Sequence, residues 1–182
     1  MGKPPVEEKK ITHIDIRITV SVLICLLTAE TLNHFGLRIA YENKQLEIIQ
    51  HLTAAISCLL VCQQTVDISK KAAANRLIIT LIGGGLGVLI TVIDTRVNNP
   101  WLLAVLTAVG VLLSLILCKC AKVPYINARI GGVTCVIVAG TLPGTARILY
   151  AVMRFVSTFY GALVSVLVTI IFSKICKNAH LS

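Results

Sequence analysis

Two arginines each stand at the head of the same short pattern in this chain. Arg76-Leu-Ile-Ile-Thr80-Leu-Ile-Gly83 and Arg154-Phe-Val-Ser-Thr158-Phe-Tyr-Gly161 both read Arg-x3-Thr-x2-Gly. On a helix these positions fall at i, i+4 and i+7, on one face. A guanidinium is permanently charged and offers a planar fork suited to a carboxylate. Arg76, Thr80, Arg154 and Thr158 are therefore candidates to bind or gate an organic anion. Extending the face reaches Gly87 in the first copy and Ser165 in the second, while Gly84 and Gly85 flatten the first copy further. Small residues at this spacing let two helix backbones approach in lipid, so Gly83, Gly84, Gly87 and Gly161 are candidates for packing. The bland readings are that the face serves packing alone, and that the arginines snorkel to headgroups.

Other polar groups sit where apolar runs end. Gln63, Gln64 and Asp67 follow one such run, and Thr141-Leu-Pro143-Gly144-Thr145 follows another. Pro143 and Gly144 must end or break a helix. Gln and Asp at membrane depth are costly unless paired or wet, and irregular backbone is tolerated there only where it is buried or lines a cavity. These two segments, Thr145 included, are expected to flank a polar pathway, with ordinary interfacial loops as the alternative. Glu30, near the end of the first apolar run, is a candidate proton carrier, and solvation at the interface is the alternative. Asp94 reads as interfacial. His51 can pair with Glu47. Of the seven cysteines, nearly all lie within or at the ends of apolar runs, where Cys acts as a small hydrophobe. No zinc spacing, phosphate loop or nucleophile triad is present, so neither metal, cofactor nor enzyme chemistry is expected.

These groups must be carried by membrane helices. The 182 residues are 56% hydrophobic and 14% charged, with a mean hydropathy of +0.87. That excludes a disordered chain and exceeds the roughly 45–50% apolar content of a soluble domain. About six stretches approach the roughly 20 apolar residues a transmembrane helix needs. They run from Ile14 to Leu32, Leu46 to Cys62, Leu77 to Ile93, Trp101 to Leu117, Ile126 to Leu142 and Leu149 to Phe172. The net charge of +9 would suggest nucleic acid in a soluble protein. Here membrane orientation accounts for it, and nucleic acid is set aside. With the N-terminus inside, twelve of the seventeen Lys and Arg fall on the cytoplasmic side, which places both termini in the cytoplasm. No small-x-small cleavage site follows the first run, so a removed signal peptide is not expected.

The expected layout is a tail at 1–13, a six-helix membrane domain at 14–173 and a short tail at 174–182. The two Arg-Thr-Gly patterns open the last helix of each three-helix half, about 14–97 and 98–173. A unit with an odd number of spans repeated in tandem comes back upside down, which is the inverted-repeat construction of many transporters. Coincidence in a Thr- and Gly-rich chain is the competing account.

The segment Ala54-Ala-Ile-Ser-Cys-Leu-Leu-Val-Cys-Gln63-Gln64-Thr65, followed by Lys71-Ala-Ala-Ala-Asn-Arg76 through Gly84, resembles the aromatic acid exporter and fusaric acid resistance (FUSC-like) superfamily. The family pattern is a helix ending Gln-Pro-Thr, a basic amphipathic segment, then Arg-x3-Thr-x2-Gly. Gln64 stands where that pattern favours Pro, so a softer break is expected. The resemblance implies an all-α polytopic bundle, equivalent to one membrane half of the family. At half the family's size a homodimer or larger assembly is expected, and the compact loops without a signal peptide fit a bacterial inner membrane. The function the resemblance implies is gradient-driven export of small organic, above all aromatic, carboxylates. An organic-anion channel of the same architecture and a non-transporting membrane scaffold are the alternatives.

Overall fold

The structure is a computed structural model that describes residues 12–36, 38–41, 44–97, 99–141 and 146–179. It is a bundle of six helices with one small hairpin. In chain order these are α1 (His13–His34), β1 (Arg38–Tyr41), β2 (Lys44–Glu47), α2 (His51–Val61), α3 (Val66–Val97), α4 (Pro100–Cys120), α5 (Tyr125–Gly140) and α6 (Ala146–Ala179).

Local chemistry sets the helix ends. The Thr12 amide donates to the Asp15 carboxylate at 2.8 Å, closing the first turn of α1. Asn99 accepts from the Trp101 amide at 3.0 Å, and Pro100 occupies the first turn of α4, where its missing N–H costs nothing. α4 stops where Lys122 takes φ 58° and the Val123 amide reaches back to the Cys118 carbonyl at 3.0 Å. That is a Schellman stop with lysine where glycine is usual.

Three helices, α3, α4 and α6, are long and apolar enough to cross a bilayer, while α2 and α5 are apolar but shorter. The expected second span is cut back. Residues 44–47 pair antiparallel with 38–41, Leu46 against Ile39, and only 51–61 is helical. Two expected helix starts also move. α3 begins at Val66, so Lys70 and Lys71 lie inside it and Arg76 is well within the helix; Arg154 is likewise within α6. The basic segment and the apolar run after it are one continuous helix, because no Gly or Pro separates them.

Burial is reversed relative to a water-soluble protein. The interior is rich in small and polar groups such as Ser21, Ser57, Thr80, Ser114, Thr134, Ser157 and Thr169. The outside carries Leu23, Leu27, Leu81, Leu89, Val105 and Leu112. Only a hydrocarbon solvent makes that arrangement favourable. The buried hydroxyls of Thr80, Thr91, Thr158 and Thr169 each donate to the carbonyl four residues back, so none is left unpaired.

The helices alternate in direction. The Arg17 guanidinium reaches the Gln64 carbonyl, so α1 runs against α2; Gln50 meets Ser157 and Cys62 meets Thr169, so α2 and α6 run together. Gly83 and Gly87 of α3 lie on Gly131 and Val138 of α5 in the same order along both helices. Arg147 near the start of α6 pairs with Asp94 near the end of α3, so these two are antiparallel. The packing follows suit: α6 lies on α1 and α2, α3 lies on α4 and α5, and α3 and α6 lie on each other. α6 therefore packs on the first two helices of the chain, and α3 on the fourth and fifth. The buried positions of α1 (Ser21, Cys25, Ala29) and of α4 (Gly110, Ser114, Cys118) share one i, i+4, i+8 spacing.

Candidate functional site

The polar groups collect along the α3–α6 axis. At the end where α1 and α3 begin, a cavity of about 440 Å³ is lined by His13, Arg17, Gln64, Thr65, Asp67 and Phe172, among others. Its floor is the break between α2 and α3. There the Gln63 amide donates to the Ser69 hydroxyl at 3.0 Å, and the Gln64 carbonyl accepts from both terminal nitrogens of Arg17 at 3.4 Å. Gln63 is half-buried, whereas Gln64 and Asp67 are exposed.

Arg76 lies nine residues further along α3 than Asp67, about 14 Å deeper at 1.5 Å per residue. It is 4% exposed, and its Nε and Nη1 have no hydrogen-bond partner among the described residues. Leu60, Ala72, Ile79, Asn127 and Ile130 enclose a cavity of about 20 Å³ beside it.

Arg154 is also buried, at 8% exposure, but it is held. Its Nη1 donates to Thr53 Oγ1 at 3.3 Å, and that hydroxyl donates to Gln50 Oε1 at 3.0 Å. The Gln50 amide in turn donates to Ser157 Oγ at 2.8 Å. Both guanidiniums are turned into the bundle and not out to its surface. Further along the same side, Arg147 donates to Asp94 at 2.8 Å with both side chains largely buried.

The two arginine surroundings share a frame. Gly161 touches the Ala54 carbonyl and lies beside Ser57; Gly83 touches the Gly131 carbonyl and lies beside Thr134. In each case a Cβ on the glycine would overlap backbone, so the close approach depends on the missing side chain. One and four residues before Ala54 stand Thr53 and Gln50, which hold Arg154. One and four residues before Gly131 stand Ile130 and Asn127, which line the space at Arg76. Arg76 lacks the hydroxyl because Ile130 fills its place.

A family model described as fusaric acid resistance protein-like matches residues 24–168, most of the chain. The chain belongs to this family. No curated protein and no solved structure matches it. Membership ties the chain to the membrane and to transport, and agrees with the resemblance read from the Gln63–Thr65 and Arg76–Gly83 segments.

In this fusaric acid resistance-like bundle the remaining sequence candidates are scattered. The Thr80 and Thr158 hydroxyls are spent on the carbonyls of Arg76 and Arg154. Glu30 is exposed on α1, facing away from the arginines' buried interior. A Cβ on Gly87 would meet Val138 at 2.7 Å, while one on Gly84 would meet nothing within 4 Å. Thr145, with Leu142, Pro143 and Gly144, lies outside the described residues. His51 and Glu47 do pair, at 3.0 Å. Asp94 is more than interfacial, because it holds Arg147.

Sequence reasoning missed Gln50, Thr53, Asn127 and Arg17. The first three take their meaning from the crossings at Ala54 and Gly131, which the structure supplies.

Proposed function

We propose that this protein is a membrane transporter exporting small organic, chiefly aromatic, carboxylates, driven by an electrochemical gradient. The observation that carries the reading is Arg76: a guanidinium 4% exposed, inside a helix long enough to cross a membrane, with two nitrogens unpartnered among the described residues. A buried charge without a counter-group is strongly unfavourable, and a carboxylate answers it with two acceptors in the guanidinium plane. A separate cavity of about 440 Å³ at the end of the bundle where α3 begins falls within the roughly 300–1000 Å³ of small-ligand sites. Its lining offers Phe172 to an aromatic ring, with Arg17 holding the Gln64 carbonyl at its floor.

The alternating helix directions and the matched surroundings of Gly83 and Gly161 support two inverted three-helix halves. Arg76 and Arg154 then lie on opposite sides of the midplane, one gate each, with Gln63, Gln64 and Asp67 at the entrance to the first. Both termini lie in the cytoplasm of a bacterial inner membrane on this reading. The working form is a homodimer or larger assembly, which the mass of the solubilised protein tests.

The deciding experiment is hydroxybenzoate flux from proteoliposomes, with and without an imposed pH gradient, for the native protein and Arg76→Ala. Saturable, gradient-dependent flux that falls at least tenfold in the variant is expected. Gradient-independent flux with a unitary conductance would make the protein a channel. Unchanged flux in Arg76→Ala would remove that residue from the pathway.

A further inference from the structure

A second feature is built where α4 ends and α5 begins, on the outer face of the α5 turn that lines Arg76. Three cations gather there: Lys119 on the last turn of α4, Lys122 in the turn and Arg129 on the second turn of α5, all exposed. All eight Asp and Glu of the chain lie at or before Asp94, so this half of the protein holds no carboxylate of its own. No ion pair reaches the three cations among the described residues. The Arg129 guanidinium lies over the Tyr125 ring, 4.9 Å from its centroid, which fixes its position at the bundle end.

Two apolar grooves run from this cluster. One, about 330 Å³, passes between Val111 and Leu115 of α4 and Gly132, Val133 and Val136 of α5, with Arg129 on its rim. The other, about 290 Å³, is lined by Leu115, Ile116, Val123 and Ala128, with Lys119 and Tyr125 on its rim. Leu115 is common to both, so the grooves lie on its two flanks. Gly132 hollows the first groove: a Cβ there would press on Val111 at 3.1 Å.

We propose that the α4–α5 end is a binding site for one anionic phospholipid. Its phosphate sits among Lys119, Lys122 and Arg129, and its two acyl chains lie in the grooves on either side of Leu115. The charge complement missing from the chain comes from the headgroup. Basic pockets between helices near the membrane surface recognise anionic headgroups in this way. The left-handed lysine at 122 fits the same account, since glycine is the usual residue there and would bring no charge.

The test is native mass spectrometry of the detergent-solubilised, delipidated protein titrated with phosphatidylglycerol or phosphatidylcholine of identical chains. One phosphatidylglycerol, held at least tenfold more tightly than phosphatidylcholine, is expected. The triple variant Lys119→Gln, Lys122→Gln, Arg129→Gln should lose the preference while keeping its helical circular dichroism. Val136→Trp fills a groove without touching the cations and should weaken phosphatidylglycerol binding several-fold. Equal retention of both lipids by the native protein would overturn the site, as would a preference surviving the triple variant or one abolished by Lys70→Gln with Lys71→Gln. A single-chain lysophosphatidylglycerol bound as tightly as the two-chain lipid would overturn the two-groove arrangement.

Discussion

The surroundings of Arg154 and of Arg76 are built alike and finished differently. Each guanidinium is buried, each lies seven residues before a glycine seated on a neighbouring backbone carbonyl, and each neighbour belongs to a short helix, α2 or α5. At Arg154 the neighbour supplies Thr53 and Gln50, and the charge is tied into a chain of hydrogen bonds. At Arg76 it supplies Ile130 and Asn127, and two nitrogens stay unpartnered. A shared frame with one partner withheld separates support from reactivity: Arg154 holds α6 to α2, while Arg76 is left with capacity for a ligand.

The largest effects should separate the two arginines most clearly. Arg154→Ala strips Thr53 of its donor at the head of the Thr53–Gln50 chain inside the bundle, and should lower unfolding stability by about 3 kcal/mol. Arg76→Ala removes a charge that has no internal partner, so its thermal midpoint should not fall, while its anion flux does. Thermal unfolding in detergent, run beside the flux assay, distinguishes them. Equal destabilisation of both variants would end the distinction between a supporting and a ligand-binding arginine.

A smaller effect comes from making Arg154 resemble Arg76. Thr53→Val keeps the shape but deletes the hydroxyl, leaving Arg154 Nη1 and Gln50 Oε1 without each other's link. A loss of about 1–2 kcal/mol is expected, because a buried polar group left unmatched costs its desolvation. An unchanged midpoint would mean that the 3.3 Å contact contributes nothing.

The reverse change is subtler. Ile130→Thr places beside Arg76 the hydroxyl that Thr53 places beside Arg154. Stability should rise by about 1 kcal/mol. Hydroxybenzoate should then bind several-fold more weakly, measured as a higher half-saturating concentration, because the ligand competes with an internal partner. Tighter binding in this variant would show that Arg76 does not meet the carboxylate directly.

What could be read beforehand divides along the same line. The helical membrane bundle and its family were legible because hydropathy and the Arg-Thr-Gly face are local, repeated signals. The true length of α2 was not, since Leu46 and the residues around it are apolar enough for a helix yet pair as a hairpin with residues 38–41. The depth of Arg76 was hidden for a related reason: the expected span began at Leu77, whereas α3 begins at Val66 and carries Arg76 well inside it. Asn127 and Ile130 carry no signal alone. Their meaning comes from standing opposite an arginine on another helix, a long-range relation that periodicity does not report.

The last comparison concerns two adjacent glycines of α3 and checks the frame itself. A Cβ at Gly83 would overlap the Gly131 carbonyl and approach Thr134 Cβ at 3.0 Å, so Gly83→Ala must push α3 from α5 and lose about 2 kcal/mol. Gly161→Ala, facing the Ala54 carbonyl, should lose a similar amount, since the two crossings are alike. At Gly84 the added methyl meets nothing within 4 Å, and alanine is the better helix former by up to about 1 kcal/mol. Gly84→Ala should therefore leave the thermal midpoint unchanged or raise it slightly. The three variants measured together locate the crossing to a single residue. A loss at Gly84 as large as at Gly83 would mean that α3 presents a broader flat face, with α5 seated elsewhere on it, and the assignment of Ile130 opposite Arg76 would have to move with it.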